Sequence, residues 1–115
     1  MSKVLYAEDE YTNRKLLEIL LQREGIDCDL AADGVSALDM FQHNTYAVVI
    51  LDHYMPGLNG AEVAREIRAI DGSVPLIALT SDDSQVPVLE KAGFDRIFLK
   101  PLRGNDYIGA IASYT

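Results

Sequence analysis

Near the middle of the chain stands the apolar run AVVIL, residues Ala47–Leu51, followed directly by Asp52. All five side chains of this run are hydrophobic, with no alternation between apolar and polar positions. A strand that is buried on both faces has this pattern, and such strands are typical of parallel sheets covered by helices on both sides. We therefore predict a central strand here, with Asp52 at its carboxyl end.

On both sides of this run, short apolar segments alternate with longer amphipathic ones. The other predicted strands are Lys3–Ala7, Cys28–Ala31, Pro75–Leu79 and Arg96–Leu99. The predicted helices are Tyr11–Glu24, Gly34–Gln42, Asn59–Ala69, a weak helix that runs through Leu89, and Asp106–Ser113. This alternation predicts an α/β fold in which a parallel sheet lies between two layers of helices. The chain of 115 residues has no linker or low-complexity segment, so we expect a single domain over residues 1–115.

Composition narrows the classes of partner. The formal net charge of −8 argues against duplex nucleic acid and anionic membranes, because binding to phosphates requires clustered Lys and Arg. No apolar run approaches the roughly 20 residues of a membrane span, and the N-terminus does not have the pattern of a signal peptide. The single cysteine, Cys28, cannot form an internal disulfide, and we interpret it as a small buried hydrophobic residue. A cytoplasmic location is expected.

Polar side chains follow four of the predicted strands at their carboxyl ends. They are Glu8 and Asp9 after the first strand, Asp52 after the third, Thr80 and Ser81 after the fourth, and Lys100, which precedes Pro101, after the fifth. Ligands of such sheets bind beyond the carboxyl ends of the strands. Each residue alone has an ordinary explanation, since Asp, Glu and Thr after a strand often cap the next helix. Their convergence at one edge of the sheet indicates a binding site.

Clustered carboxylates at this edge indicate a cation. Like charges repel one another in a crevice, and burying them without a counter-ion is costly. A set of oxygen ligands with room for water suits Mg²⁺, which keeps several water ligands and accepts phosphate groups. The carboxylates of Glu8, Asp9 and Asp52 therefore predict a Mg²⁺ site.

Four short motifs together resemble the receiver domain of response regulators in two-component signalling. The pair Glu8-Asp9 is similar to the family's acidic pair, and DHYMPGLNG at residues 52–60 is similar to its phosphoacceptor segment. LTS at residues 79–81 and LKP at residues 99–101 are similar to its hydroxyl and lysine–proline motifs. The resemblance covers nearly the whole chain. It implies a three-layer, doubly wound (βα)5 flavodoxin-like fold with a five-stranded parallel sheet in the order 2-1-3-4-5.

The resemblance also implies how a phosphoryl group is accepted. Asp52 would take the group from the phosphohistidine of a histidine kinase or a histidine phosphotransfer protein. Asp9 and Asp52 would bind Mg²⁺ directly, Glu8 largely through water, and the backbone carbonyl of Tyr54 would be a further ligand. Phosphoryl transfer needs positioning and charge neutralisation more than covalent help from the protein, which agrees with this arrangement.

The switching roles fall on residues after the fourth and fifth strands. By resemblance, Thr80 and Lys100 bind phosphoryl oxygens, and a cis Lys100–Pro101 peptide bond places the lysine at the pocket. Movement of the Thr80 hydroxyl toward the phosphoryl group would pull the following loop and switch a contact with a downstream protein. The chain is thus expected to be a signalling domain that assists its own phosphorylation and dephosphorylation, and not an enzyme.

Three features depart from the family pattern, namely Ile97, Pro87 and the bulk at the rim of the pocket. The family usually carries Tyr or Phe three residues before the lysine, coupled to the threonine, whereas this chain has Ile97. Phe98 follows, but alternation along a strand points it to the opposite face, so we interpret it as a core residue. Pro87 lies within the expected fourth helix, which predicts that this helix starts late or is short and loose.

The rim of the expected pocket is bulky. Tyr54 lies two residues after Asp52, and Ser81 and Asp82 follow Thr80. By resemblance, the residues at positions 54 and 82 influence how readily water attacks the acyl phosphate. Tyr54 could shield that bond, and Asp82 could orient water, although a helix cap is the role we favour. His53 is interpreted as a partly buried structural residue that points away from the pocket.

Other classes fit the sequence less well. Phosphohydrolases with an aspartyl nucleophile place a second Asp two residues after the nucleophile, where this chain has Tyr54. Nucleotide binding is disfavoured because no Gly-rich loop follows the first strand. A degenerate receiver, which switches partners without phosphate, is disfavoured by the complete set of motif residues. A stand-alone regulator, a phosphorelay carrier and a fragment of a larger regulator or hybrid kinase all remain open.

Overall fold

A computed structural model describes residues 3–101 and 106–115 of the chain. The strands are β1 (Lys3–Ala7), β2 (Asp27–Ala31), β3 (Val48–Asp52), β4 (Leu76–Thr80) and β5 (Arg96–Leu99). The helices are α1 (Tyr11–Arg23), α2 (Gly34–His43), α3 (Gly60–Ile70), α4 (Val86–Ala92) and α5 (Asp106–Ser113), with a short 3-10 turn (Asp83–Gln85) before α4. All neighbouring strands are parallel.

The strand order in the sheet is β2-β1-β3-β4-β5, which confirms the expected flavodoxin-like topology. The order reverses between β1 and β3, so a crevice opens beyond the carboxyl ends of these two strands. Every residue of β3 is buried, as the AVVIL pattern predicted. The edge strands β2 and β5 are more exposed.

Two separate hydrophobic clusters cover the two faces of the sheet. Helices α2, α3 and α4 pack on one face through residues such as Phe41, Ile67 and Leu89. Helices α1 and α5 pack on the other face through residues such as Leu21 and Ile111. The fold is therefore the three-layer arrangement that the sequence predicted. Within the described ranges, no helix combines the length and the apolar character that crossing a membrane requires.

Several strand limits differ from the predictions by one residue. The third strand is Val48–Asp52 rather than Ala47–Leu51, because Asp52 pairs in register with Leu79 of β4. The fourth is Leu76–Thr80 rather than Pro75–Leu79, because Thr80 pairs with Leu99 and Pro75 has no N–H to donate to a ladder. The second strand begins at Asp27, which pairs with Lys3.

The helix limits also differ, and capping explains most of the differences. The first helix ends at Arg23 rather than Glu24, since Gly25 follows with a φ of +72° that breaks the helix. The second runs to His43, one residue beyond Gln42. The third is Gly60–Ile70, with Asn59 outside it as the N-cap.

The fourth helix starts late, as Pro87 predicted, but it ends at Ala92 rather than near Leu89. Its first helical residue is Val86, so Pro87 lies in the first turn, where its missing N–H needs no partner. Gly93, with a φ of +103°, terminates the helix.

Candidate functional site

The carboxyl ends of β1, β3, β4 and β5 bring the predicted site residues together. Glu8 follows β1 and is only 1% exposed, and Asp52 is the last residue of β3 and is 6% exposed. Thr80 ends β4 and is buried, whereas Lys100 follows β5 and is partly buried. Hydrogen bonds between strand ends fix the backbone, such as that from the Glu8 N–H to the carbonyl of Ala31 at 3.0 Å.

The three carboxylates of the site form one cluster. Glu8, Asp9 and Asp52 each offer an oxygen, and these oxygens all lie within 4.8 Å of one another. Glu8 and Asp52 are buried, while Asp9 is exposed at the open side. This set of hard oxygen donors, open to water on one side, fits the ligand preference of Mg²⁺.

Lys100 bridges the two buried carboxylates. Its Nζ lies 2.8 Å from Glu8 Oε1 and 2.8 Å from Asp52 Oδ1. Burial lowers the pKa of Lys100, but the hydrogen bonds to Asp52 and Glu8 outweigh it, so that the pKa lies above its ordinary value. For Glu8, burial raises the pKa, the bond to Lys100 lowers it, and the nearby Asp52 raises it, with a net upward shift. The ammonium is therefore held charged beside the carboxylates of Glu8 and Asp52.

A chain of hydrogen bonds lines the rim of the pocket. Thr80 Oγ1 accepts a hydrogen bond from the backbone N–H of Asp82 at 3.1 Å. The Tyr54 hydroxyl donates to Asp82 Oδ2 at 2.7 Å, and the N–H of Ser84 donates to Asp82 Oδ1 at 3.0 Å. Asp82 thus caps the 3-10 turn and also ties it to the segment after β3. Ser81 is exposed beside these residues.

These hydrogen bonds shift the pKa values of two titratable groups at the rim, Tyr54 and Asp82. Hydrogen bonds from Ser84 and Tyr54 hold the pKa of the Asp82 carboxyl below its ordinary value. The same contact with Asp82 raises the pKa of the Tyr54 phenol. The hydroxyl of Tyr54 is therefore neutral, and the carboxylate of Asp82 is ionised, at neutral pH.

The structure separates Ile97 and Phe98 as strand alternation predicted. Ile97 packs against the cluster under α2, α3 and α4, whereas Phe98 packs against the cluster under α1 and α5. The Lys100–Pro101 peptide bond is cis, as expected.

His53 is more buried than expected, at 3% exposure. Its Nε2 lies 3.3 Å from Gln85 Oε1, and among the described residues its buried Nδ1 has no hydrogen-bond partner. The ring packs against that of Tyr54, with 4.8 Å between centroids. The expectation of a partly buried ring is thus replaced by a buried one, with Gln85 of the 3-10 turn against it.

The loop between β3 and α3 depends on a close approach at Gly60. A Cβ at this position would lie 2.8 Å from the Asp52 carbonyl oxygen and 2.9 Å from the His53 Cα. The Gly60 N–H donates to the His53 carbonyl at 2.9 Å, which closes the loop on itself. On the opposite side, a Cβ at Gly34 would collide with the backbone of Leu58.

Sequence reasoning missed two residues that hold the acidic pair. The Tyr6 hydroxyl lies 3.4 Å from Glu8 Oε1, and Arg14 Nη1 donates to the Glu8 carbonyl at 2.8 Å and to the Asp9 carbonyl at 3.3 Å. The spacing of Tyr6 in β1 and Glu8 directly after it, two residues apart in extended chain, was a signal that they share a face. The role of Arg14 has no comparable signal, because it depends on the reach of a long side chain from α1.

Comparison with known proteins agrees with this geometry. The family model for the response regulator receiver domain matches residues 4–112. The chain belongs to the response regulator receiver family. The receiver domain is therefore a signalling domain of response regulators, as the four motifs indicated.

Among curated proteins, the receiver domain is similar to the sensory transduction protein RegX3 of Mycolicibacterium smegmatis. The two are 34% identical over 113 residues, which cover 96% of this chain and 49% of RegX3. The chain thus spans about half the length of that relative.

Two solved structures are similar over almost the whole chain. The response regulator TrrA of Thermotoga maritima, in complex with Mg²⁺ and BeF, has a TM-score of 0.92 and 33% identity, with 100% of both chains covered. The receiver domain of the sensor histidine kinase PA1611 of Pseudomonas aeruginosa has magnesium coordinated in its active-site cleft. Its TM-score is 0.91 at 27% identity, with 98% of this chain and 96% of the other covered.

Proposed function

We propose that the receiver domain accepts a phosphoryl group on Asp52 from a phosphohistidine and thereby switches a protein–protein contact. The observation that carries the proposal is the position of Asp52 Oδ1, 2.8 Å from Lys100 Nζ and inside the carboxylate cluster. An oxygen of Asp52 would form a bond to phosphorus while the phosphorus–nitrogen bond of the phosphohistidine breaks. The nitrogen would keep the electron pair of that bond.

We propose Mg²⁺ as the cofactor, held by Glu8, Asp9, Asp52 and the backbone carbonyl of Tyr54. The cluster geometry and the magnesium ions of the two solved relatives support this. When bound, Mg²⁺ would supply positive charge between the carboxylates and the incoming phosphoryl oxygens. The ammonium of Lys100 would bind one of those oxygens, for which a compact point charge is suited.

Thr80 would read the phosphorylated state. Its hydroxyl now accepts a hydrogen bond from the Asp82 N–H, and it would leave this bond to donate to a phosphoryl oxygen. Because Asp82 also accepts hydrogen bonds from Tyr54 and Ser84, movement of Thr80 would shift these residues at the rim as well. Tyr54, Ser81, Asp82, Ile97 and Pro101 would modulate the site, and none of them reacts.

The donor we propose is a histidine kinase or a histidine phosphotransfer protein, and the receiver of the signal is a further protein. We expect this domain to contact neither nucleic acid nor membrane itself, since its net charge of −8 disfavours both. We further propose that residues 1–115 form one domain with a cytoplasmic location. A larger protein that contains this domain could be a regulator like RegX3 or a hybrid histidine kinase, and its activity as a whole is a separate question.

The test is the intact mass of the protein after incubation with acetyl phosphate and Mg²⁺, beside an Asp52→Asn variant. We expect the parent to gain one phosphoryl group and the variant to gain none. A folded parent that gains nothing from acetyl phosphate, nor from a phosphohistidine donor, would contradict the proposal. Beryllofluoride, present in the TrrA complex, is a stable mimic of the phosphoryl group and gives a second readout through binding.

A further inference from the structure

Tyr6 is a polar side chain in the middle of a buried strand. It is 2% exposed, and its ring packs in the cluster under α1 and α5. Its hydroxyl lies 3.4 Å from Glu8 Oε1, a long hydrogen bond. A buried tyrosine hydroxyl normally has a partner, and here the partner belongs to the candidate metal site.

The same oxygen of Glu8, Oε1, accepts hydrogen bonds from two donors. Lys100 Nζ contacts Glu8 Oε1 at 2.8 Å, so the Tyr6 hydroxyl is the second and more distant donor. Among the described residues, the hydrogen-bond contact of Glu8 Oε2 is a long one of 3.5 Å from the N–H of Glu10. A buried carboxylate needs hydrogen-bond donors, because its negative charge is costly in the protein interior when a donor is lost.

Lys100 cannot serve all of its partners after phosphorylation. It is shared between Glu8 and Asp52 at equal distances of 2.8 Å. If the ammonium turns to a phosphoryl oxygen, Asp52 is by then an acyl phosphate whose carboxyl group carries no negative charge. Glu8 is still a buried carboxylate, and its Oε1 loses the nearer of its two donors. A cavity of about 220 Å³ borders Tyr6, Glu8, Lys100 and Tyr107, so these side chains have room to adjust.

We propose that Tyr6 is a positioning residue whose hydroxyl takes over as the main hydrogen-bond donor to Glu8 Oε1 when Lys100 turns to the phosphoryl group. This inference rests on the proposed function. Only a shift of a few tenths of an ångström would turn the present long contact into an ordinary hydrogen bond. Tyr6 would thus favour the phosphorylated state more strongly than the unphosphorylated one.

The test compares two titrations followed by amide NMR, one with Mg²⁺ alone and one with beryllofluoride at saturating Mg²⁺. In Tyr6→Phe we expect the affinity for beryllofluoride to fall about fivefold to tenfold, the change that corresponds to the loss of one typical hydrogen bond. The affinity for Mg²⁺ alone should change less than about twofold, because Lys100 still serves Glu8 in that state. Tyr107→Phe is the matched control, since Tyr107 lines the same cavity, and it should leave both affinities unchanged.

Three outcomes would overturn the inference while leaving the proposed function intact. They are an unchanged beryllofluoride affinity in Tyr6→Phe, an equal loss of both affinities in that variant, and the same loss in Tyr107→Phe. A parent that binds no beryllofluoride would overturn the proposed function together with this inference.

A measurement on the parent protein covers the case in which Tyr6→Phe does not fold. With tyrosine labelled at ¹³Cζ, the Tyr6 signal should move when beryllofluoride is added at saturating Mg²⁺, because the carbon next to the hydroxyl reports its hydrogen bond. A Tyr6 signal that stays in place while the amides of the site shift would overturn the inference.

Discussion

The ammonium of Lys100 compensates two carboxylates that would otherwise repel each other. It lies 2.8 Å from an oxygen of Glu8 and 2.8 Å from an oxygen of Asp52, and both acids are buried. Asp9 is the third acid of the cluster, is exposed, and has no contact with Lys100 within salt-bridge distance among the described residues. Asp9 therefore offers an incoming cation a negative charge that Lys100 does not already compensate.

Asp9→Asn should abolish Mg²⁺-dependent phosphorylation. The change removes one negative charge from the cluster and keeps the size of the side chain, so the loss would come from weaker metal binding. Intact mass after incubation with acetyl phosphate and Mg²⁺ measures the effect. Asp39→Asn, an exposed acid of α2, is the control and should be phosphorylated like the parent. Normal phosphorylation of Asp9→Asn would contradict the assignment of Asp9 to the metal.

The thiol of Cys28 should react slowly with alkylating reagents near neutral pH. Burial first, and then the nearby charges of Glu18 and Asp29, raise its pKa to about 11. Since only the thiolate reacts, the rate with iodoacetamide at pH 8 should be on the order of a hundredfold below that of a free cysteine. The rate should rise steadily as the pH approaches 11. A rate that levels off by about pH 10 would show that the thiol has an ordinary pKa.

At the residue scale, the sequence predicts what lies at strand ends but not what side chains reach. Asp52 and Thr80 could be placed because a strand end has a defined position in a parallel sheet. The bond from Tyr54 to Asp82 could not be predicted, since it joins two loops whose separation depends on tertiary packing. The contact of His53 with Gln85 was missed for the same reason.

Helices α3 and α4 differ in how firmly their ends are held. Asn59 and Glu62 form a capping box at the start of α3, which is 11 residues long and buries an apolar face. Helix α4 has seven residues and no side-chain hydrogen bond at its N-cap. The short helix therefore depends on tertiary contacts for its stability.

Amides of α4 should exchange with deuterium much faster than those of α3. The segment Val86–Lys91 has a weak N-terminus and few buried residues, so local opening costs little free energy. Hydrogen exchange resolved to single residues would check this, with Val63–Ile70 as the internal reference. Equal protection in the two helices would mean that α4 opens only with the whole domain.

At the element scale, the five strands and five α-helices were predicted, and the limits of β1, β5 and α5 match while the others differ by one to a few residues. The limits of β3 and α3 moved because the ladder extends through Asp52 and because Asn59 acts as a cap. Both effects depend on partners distant in sequence or on side-chain geometry. The late start of α4 was predictable because a proline is restricted to the first turn of a helix.

Arg68 ties together three parts of the domain. From α3 its guanidinium donates to the carbonyl of Gly93 after α4 at 2.8 Å and to the carbonyl of Val74 before β4 at 2.6 Å. It also forms an ion pair with Asp95 at 3.1 Å. These contacts join the end of one helix layer to the loops at the opposite edge of the sheet from the candidate site.

Arg68→Met should lower the free energy of unfolding by about 1–3 kcal/mol, because the partly buried carbonyls of Gly93 and Val74 lose their donor. Chemical denaturation followed by circular dichroism measures the change. Arg65→Met, an exposed position on the same helix, is the control and should be nearly neutral. If both variants lose the same stability, the loss comes from the change of residue on the helix and not from the contacts of Arg68 with Gly93, Val74 and Asp95.

At the scale of the whole molecule, the alternation of elements predicts a parallel three-layer fold but not the order of the strands. That order came from the resemblance, because no local pattern states which strands are neighbours. The exposed residues of β2, such as Asp27, agree with its place at an edge, yet they do not distinguish one edge from the other. The two separate clusters follow once the order is known, since alternate residues of each strand face opposite layers.

The loop that follows Asp52 contacts a glycine on each of two sides. At both glycines the neighbouring backbone is too close for a larger residue. Gly60 meets the carbonyl of Asp52, and Gly34 of a different helix meets Leu58 at the far side of the same loop. Any side chain at either position would push this loop out of its path. In a genetic screen for variants that no longer signal, both glycines would therefore appear beside the acidic residues, although neither has a group that can react.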